Sequence, residues 1–427
     1  MGVPFCFLHA ADLHLDSPFR GLTGVPEPVR RRLRESTFAA LERLSAAVWR
    51  EGADFVVLAG DLYDGQDRSL RAQLRFRRTV EAWAEAGVQT FVVHGNHDPL
   101  GGRQARLDWP EAVHVFGCGE VECRPAYRRS GELAAFVYGV SYREAAVRDN
   151  LAARFRKREG APFHLAVLHA NVDGDPRHDN YAPCSLEELA AAGFDYWALG
   201  HVHERRILRE YPHVVYPGNA QGRHFRETGP KGAYVVRVSA SGEIGLAFVE
   251  TSDVVWLEKA VSITGAEREQ ELRERLLEAA EGARAEAGGR PCVLRLRLEG
   301  RGPLHERLQE PGVREEWLAE LREWLGDPDE RDDWIWAGDL IDRTGPERDW
   351  QAVLGEDGFA GELARLAMRA ADDPAAAREL LDDALASIRL QPFVREWLAR
   401  RSDAERAVWI RRAAETAVWL LKSEERP

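Results

Sequence analysis

The chain has 427 residues, of which 58 are Lys or Arg and 71 are Asp or Glu, for a net charge of −13. At roughly 150 residues per domain this length excludes a single compact core, and a hydrophobic content of 44% with 13 Trp and 16 Phe excludes general disorder. The acidity argues at first against a protein that coats nucleic acid by bulk attraction, but it is unevenly placed: residues 1–250 hold 31 basic and 32 acidic side chains, whereas 251–427 hold 27 and 39.

Histidine is equally uneven, with 12 of 13 lying between His9 and His224 and only His305 beyond. No apolar run approaches the about 18 residues of a membrane span, and the N-terminus lacks the basic flank and cleavage site of a secretory leader. A cytoplasmic protein without membrane contact is therefore expected. Five cysteines, Cys6, Cys118, Cys123, Cys184 and Cys292, stand at no zinc-like spacing and read as thiols in a reducing compartment.

In chain order, short apolar runs at 5–8, 55–58, 90–93, 164–168, 196–199 and 214–216, bounded by Gly, Asp and Asn, read as buried strands. Helical spacing fills 27–49 and 69–86, and Ser185-Leu-Glu-Glu188 opens a short helix with a capping box. This alternation specifies an α/β sandwich. From about 253 the texture changes to strands at 254–264, 292–298 and 334–339 with helices at 266–287 and 304–325, a small α+β module. The remainder is helical, with Asp373-Pro374 as an N-cap and first-turn proline and Ser402-Asp-Ala-Glu405 as a second capping box. In the last helix Ala407, Ile410, Ala414, Val418 and Leu421 form one stripe; such stripes pack on their own domain more often than on a partner helix. The expected division is 1–250, 251–346 and 347–427.

The chemistry-bearing residues fall just after the strand runs: Asp12-Leu-His14, Gly60-Asp61-Leu-Tyr-Asp64, Gly95-Asn96-His97-Asp98, His169 and Gly200-His201-Val-His203. Loops that leave the carboxyl ends of strands in an open α/β sheet converge on one crevice. Imidazoles, carboxylates and an amide oxygen form a mixed nitrogen and oxygen donor set suited to manganese, iron or zinc. Seven such groups are too many for one tetrahedral ion and suit two ions that share a carboxylate, the arrangement that clamps both oxygens of a phosphoryl displacement. His201 and His203, alternating about Val202, fit this arrangement because one imidazole can go to each ion. Gly60, Gly95 and Gly200 let the backbone approach closely. The arginines of 71–78, 124–129 and 154–158 read as solvated faces, while Arg223 and His224 are the best candidates for phosphate contacts.

Together with the opening His9-Ala-Ala-Asp-Leu-His-Leu-Asp-Ser-Pro18 and the stretch Tyr216-Pro-Gly-Asn-Ala-Gln-Gly-Arg-His-Phe225, these motifs make residues 1–250 resemble the calcineurin-like binuclear metallophosphoesterases. The resemblance is to the SbcD-type DNA repair nucleases and, within them, the YhaO-like branch. It implies a two-sheet metallophosphoesterase sandwich followed by an α+β cap domain and a helical C-terminal segment that binds the coiled coil of an SMC-like ATPase; a homodimer is also compatible.

Carried over by position, the resemblance gives one ion to Asp12, His14 and His203 and the other to Asn96, His169 and His201, with Asp61 bridging. The two divalent ions are manganese first, with iron, zinc and magnesium as alternatives. His97 is then a catalytic acid or charge stabiliser held by Asp64, a pairing that matches phosphatase relatives and departs from nuclease relatives with histidine at that position. The implied function is DNA repair through exonuclease and single-strand endonuclease action on DNA. The alternatives are a phosphodiesterase or phosphatase for a small or protein substrate, and a DNA-end-binding scaffold for the ATPase. No Gly-x-x-x-x-Gly-Lys-[Ser/Thr] loop occurs in the chain, so any ATP dependence belongs to another chain.

Overall fold

The computed structural model describes every residue except 1, 20–23, 65–68, 103–106, 348–349, 388–390 and 424–427. The chain begins with β1 (Phe5–Ala10), α1 (Glu27–Arg50), β2 (Phe55–Ala59), α2 (Leu70–Glu85), β3 (Gln89–Val93), β4 (Val113–Val115), β5 (Glu122–Tyr127), β6 (Leu133–Gly139), β7 (His164–His169), α3 (Leu186–Ala191), β8 (Tyr196–Gly200), β9 (Arg206–Glu210), β10 (His213–Tyr216), β11 (Gly232–Val238) and β12 (Ile244–Glu250). It continues with β13 (Val255–Ser262), α4 (Glu269–Ala287), β14 (Cys292–Glu299), α5 (Leu304–Leu308), α6 (Val313–Leu325), β15 (Ile335–Asp342), α7 (Trp350–Gly355), α8 (Phe359–Asp372), α9 (Pro374–Ala384), α10 (Pro392–Ala399) and α11 (Asp403–Ser423).

Every expected strand run lies in a strand, and Ser69 and Ser185 cap α2 and α3 as their sequences require. Two expectations need correction. The single helix over 304–325 is two helices, broken at Pro311-Gly312, where Gly312 takes φ +85°. The strands β4, β5, β6, β9, β11 and β12 are additional to the expected runs. β5 and β9 are the edges of their sheet, and an edge strand is polar, as Glu122–Tyr127 and Arg206–Glu210 are, because one side meets water.

Two six-stranded sheets form the first part of the chain, in the orders β12-β11-β1-β2-β3-β4 and β5-β6-β7-β8-β10-β9. β1 through β4 run parallel, as do β6, β7, β8 and β10, and antiparallel strands complete the edges. Alternation along the strands sorts the side chains. Leu8, Val56, Leu58 and Val92 face outward onto Phe38, Leu41 and Leu44 of α1 and Phe76, Val80 and Trp83 of α2. Their neighbours Phe7, Phe55, Val57 and Phe91 turn inward and meet Val137, Leu165, Val167 and Ala198 of the other sheet. Phe7 and Phe55 stack with ring centroids 5.1 Å apart. The far face of the second sheet packs Leu168, Trp197 and Leu199 against Phe155, Phe194 and Leu189. Burying each such side chain contributes about 1.5–3 kcal/mol, so the sandwich is held chiefly by these three layers of contact.

A third sheet has the order β13-β14-β15. The chain divides into two compact units, Met1–Lys259 with Ala280–Arg295 and Arg322–Asp339, and Ala260–Ala279 with Leu296–Leu321 and Leu340–Pro427. In the first unit Trp256, Trp334 and Trp336 pack with Val29 and Leu33 of α1. In the second, Ile410 and Ala414 of α11 pack with Ala367, Ala371 and Ala377, and Val418 packs with Val353 and Ala364. The buried part of the apolar stripe on α11 is therefore used inside its own unit. Asp373 caps α9 with its side chain, and Ser402 and Glu405 form the expected reciprocal cap.

The two sheets approach closely where the site forms. A Cβ built on Gly200 of β8 would lie 1.8 Å from the Ala59 carbonyl oxygen of β2. Backbone against backbone cannot yield as a flexible side chain can, so Gly200→Ala is expected to destabilise the protein by about 3 kcal/mol or more. An unchanged melting temperature for this variant would contradict the close approach.

Candidate metal centre

Each site segment ends a parallel strand or leaves its carboxyl end: Asp12 and His14 after β1, Asp61 and Asp64 after β2, Asn96 and His97 after β3, His169 at the end of β7, and His201 and His203 after β8. The loops are zipped by backbone bonds, Asp12 N–H to Gly60 and His14 N–H to Asp61, both 3.0 Å. Buried Asp98 joins a third loop to them, accepting from Leu62 N–H at 2.9 Å and Gly95 N–H at 2.8 Å.

Four of the candidate ligands have left-handed backbone: Asp12 at φ +51°, His14 at +43°, Asp61 at +51° and His201 at +99°. Such conformations cost about 1–2 kcal/mol for a residue with a Cβ and persist where surrounding structure enforces them. Gly60 shares the positive φ, at +95°. Gly95 is needed for space instead, because a Cβ there would lie 2.4 Å from Asp61 Oδ1.

All nine residues expected to bind metal or act in catalysis meet in one connected group. His14 Nε2 faces His203 Nε2 at 3.2 Å, and His203 Nε2 lies 3.9 Å from Asp12 Oδ1. Asp61 Oδ2 lies 3.9 Å from His14 Nε2 and 3.3 Å from His169 Nε2. Asn96 Oδ1 lies 3.0 Å from His169 Nε2 and 3.2 Å from His201 Nδ1. Asp61 thus stands between the two sets of donors.

Hydrogen bonds on the outer nitrogens determine what the inner ones offer. His169 Nδ1 donates to the Ala59 carbonyl at 2.9 Å, His201 Nε2 to the Asp179 carbonyl at 2.7 Å, and His203 Nδ1 to Glu227 Oε1 at 2.6 Å. His201 and His203 therefore present their other nitrogens inward as lone pairs, and His169 does so once a cation displaces its second proton. Burial keeps these rings uncharged in two cases, lowering His201 to about 3 and His203 to about 4. His14 is held well below the ordinary histidine value by burial and by the Arg223 charge.

Asp12 and His169 respond in the opposite direction, while Asp61, against its burial, is held well below the usual carboxylate range by His169, His97 and His14. Burial, with the Asp61 charge adding to it, pushes Asp12 up to about 8. Burial opposes charge on His169, but Asp61 outweighs it and raises that ring to about 9. A pocket that concentrates lone pairs in this way attracts positive charge. Donor atoms held about 2.1 Å from a common ion lie about 3–4 Å from one another, as these do, so the residues fit a pair of divalent cations.

His97 stands at the edge of this group. Its Nδ1 lies 2.6 Å from Asp64 Oδ1, and its side chain is 39% exposed. Burial disfavours the imidazolium, yet the Asp64 hydrogen bond and the Asp61 charge raise its pKa above the ordinary value. Asp64 also accepts from Ser17 Oγ at 2.6 Å. Arg223, expected at the substrate phosphate, is 9% exposed and directs its guanidinium to Ser17 at 3.2 Å, Asp64 at 3.5 Å and Glu227 at 3.2 Å. His224 is half-exposed, with Nε2 3.4 Å from Glu227. Among the arginine clusters, Arg71, Arg75 and Arg77 pair with Glu35, Glu42 and Glu81.

Two residues that the sequence motifs do not mark belong to the site. Glu227 is buried and also accepts from Asn219 Nδ2 at 3.0 Å and Arg223 N–H at 2.8 Å; against its burial, the His203 hydrogen bond and the Arg223 charge hold it well below the usual carboxylate range. The only signal in the sequence was its place four residues after Arg223. His178 sets its ring 5.5 Å from His201 and 5.4 Å from His203, and nothing in its neighbours marked it.

A two-sheet α/β sandwich with a paired nitrogen and oxygen donor set at its strand ends defines a metal-dependent phosphoesterase. The calcineurin-like phosphoesterase family matches residues 6–205, and the middle domain of metallophosphoesterase YhaO matches residues 256–345. The chain is 41% identical to the uncharacterized metallophosphoesterase YhaO of Bacillus subtilis over 79% of its own length and 81% of that protein's. It is 27% identical to the DNA double-strand break repair protein Mre11 of Aeropyrum pernix, over 49% of this chain and 52% of that one. It is 26% identical to one component of the nuclease SbcCD of B. subtilis, over 52% and 63% of the two chains. The chain belongs to the calcineurin-like metallophosphoesterases, in their YhaO-like branch.

Glu227 fixes both the tautomer and the direction of His203. Removal of a carboxylate that orients a metal-binding imidazole costs about 10- to 100-fold in metal affinity. Glu227→Gln is expected to weaken binding of one of two divalent ions by that factor in a calorimetric manganese titration, with the other little changed.

Proposed function

We propose that this phosphoesterase is a DNA nuclease of DNA repair, acting on phosphodiesters as an exonuclease and on single strands as an endonuclease. The observation that carries the reading is the pair of donor sets joined at Asp61 beside an accessible His97. One ion is assigned to Asp12, His14 and His203, a second to Asn96, His169 and His201, and Asp61 to both; manganese is the first choice, with iron, zinc and magnesium as alternatives. When bound, two such ions supply Lewis acidity toward phosphoryl oxygens and lower the pKa of water.

The side chains do the rest. His97, raised in pKa and held at Nδ1 by Asp64, donates from Nε2 to the leaving oxygen. Asp64 keeps that tautomer, and Ser17 and Arg223 keep Asp64 in place. Arg223 is assigned a positioning role more than a direct phosphate contact, since its guanidinium is already engaged within the protein; half-exposed His224 is the better candidate for the phosphate.

The names of the Mre11 and SbcCD relatives, a DNA repair protein and a component of a nuclease, support DNA as substrate and a second chain as partner. We assign that partner, an SMC-like ATPase, to the helical segment 347–427, which follows a catalytic domain 1–250 and a cap 251–346. A cytoplasmic location agrees with five free cysteines. Among the described residues, no helix is long and apolar enough to cross a membrane. A second reading, a phosphatase or phosphodiesterase for a smaller substrate, draws on the Asp64–His97 pair.

Manganese-loaded protein is expected to degrade linear duplex and single-stranded DNA as well as bis(p-nitrophenyl) phosphate, to lose all three activities in EDTA, and to regain them with added manganese. Hydrolysis of the small ester alone would favour the second reading. His97→Ala is expected to keep two ions per chain while kcat falls about 10²- to 10⁴-fold. Asp61→Ala should lose metal as well as activity; a drop of less than about tenfold would remove the shared-carboxylate mechanism.

A further inference from the structure

The second unit contains a cavity of about 490 Å³, within the about 300–1,000 Å³ typical of small-molecule sites. Its walls are the turn after β14, α5, the loop that follows β15 and one face of α11. Arg301, Arg343, Arg411 and Arg412 line it, against only two carboxylates, Asp342 and Glu415. This excess of positive charge lies in the part of the chain where acidic residues outnumber basic ones 39 to 27.

Among the described residues, only one of the two carboxylates is paired with a cation. Glu415 accepts from Arg301 Nη2 at 2.5 Å. Asp342 accepts from the Thr344 hydroxyl at 2.7 Å, the Thr344 N–H at 2.8 Å, and Gln309. Arg411 is anchored outside the cavity by Asp372 at 2.6 Å. The guanidinium groups of Arg343 and Arg412 have no carboxylate partner among the described residues. Two planar, permanently charged forks on one cavity, opposed there by the single carboxylate Asp342, match the oxygens of a phosphate group, which a guanidinium binds through two parallel hydrogen bonds. The lining includes no Phe, Tyr or Trp on which a base could stack.

We propose that this cavity binds a small phosphorylated ligand, recognised through its phosphate by Arg343 and Arg412. Recognition is directed at the phosphate, and the group attached to it is secondary. The site is independent of the metal centre and requires none of its residues.

The test titrates metal-loaded, full-length protein with inorganic phosphate, AMP, adenosine and malonate in a calorimeter, beside the Arg343→Ala/Arg412→Ala and Arg343→Lys/Arg412→Lys variants. The metal centre also takes phosphate, so the quantity read is the event present in the wild type and absent from the alanine variant. Phosphate and AMP are expected to give that event with similar affinity and adenosine to give none. The alanine variant should weaken it at least tenfold and the lysine variant by less, with ester hydrolysis and melting curve unchanged.

Identical phosphate isotherms for wild type and alanine variant would overturn the proposal. So would adenosine binding like AMP, or malonate binding as tightly as phosphate at this site. If the alanine variant does not fold, the lysine variant decides: wild-type affinity there overturns recognition by the guanidinium forks.

Discussion

The hydrogen bond from His169 Nδ1 to the Ala59 carbonyl, 2.9 Å long, joins the carboxyl end of one sheet to that of the other, and the metal centre depends on it. The aromatic contacts between the sheets set their spacing but are non-directional, so they do not orient a ring. The Ala59 carbonyl does, and it leaves His169 Nε2 directed at Asp61 and Asn96. Room for this ring is made by glycine: a Cβ on Gly60 would come within 2.2 Å of His169 Nδ1 and one on Gly200 within 2.9 Å. A structural bond between layers and the placement of a donor are thus one event.

The donors were legible from the sequence because imidazole, carboxylate and amide seldom gather after successive strands by chance, and strands such as Phe55–Ala59 declare themselves by apolar runs. The support behind the donors was not. Glu227 acts on His203 from 24 residues away, and a buried acid has no local pattern that separates it from a surface one. The left-handed backbone of His14 and His201 was equally hidden, since histidine adopts positive φ too seldom to signal it as glycine does. The break at Pro311-Gly312 was different in kind: both residues are helix breakers, and apolar spacing on either side outweighed them in the reading of one helix.

Net charge proved a poor guide to either charged site. The catalytic half is almost neutral, and several of its arginines are tied to neighbouring carboxylates such as Glu35 and Glu42. The acidic half, conversely, surrounds a cavity with four arginines. What a polyanion or phosphate meets is the local balance within about a Debye length of roughly 8–10 Å, and at the cavity that balance is opposite in sense to that of the sequence around it.

The left-handed conformation at Asp12, His14, Asp61 and His201 also constrains how the protein can evolve. Under the proposed ligand assignment each position supplies a donor atom and must tolerate a backbone that most residues with a Cβ avoid. Those demands overlap in Asp, Asn and His, which leaves almost no neutral path by which one donor could be exchanged for another. If a duplicated copy were released from metal binding, glycine would relieve the strain at once. Glycines at these four positions in an otherwise intact sandwich would therefore be the lasting trace of a lineage that had abandoned the chemistry and kept the fold.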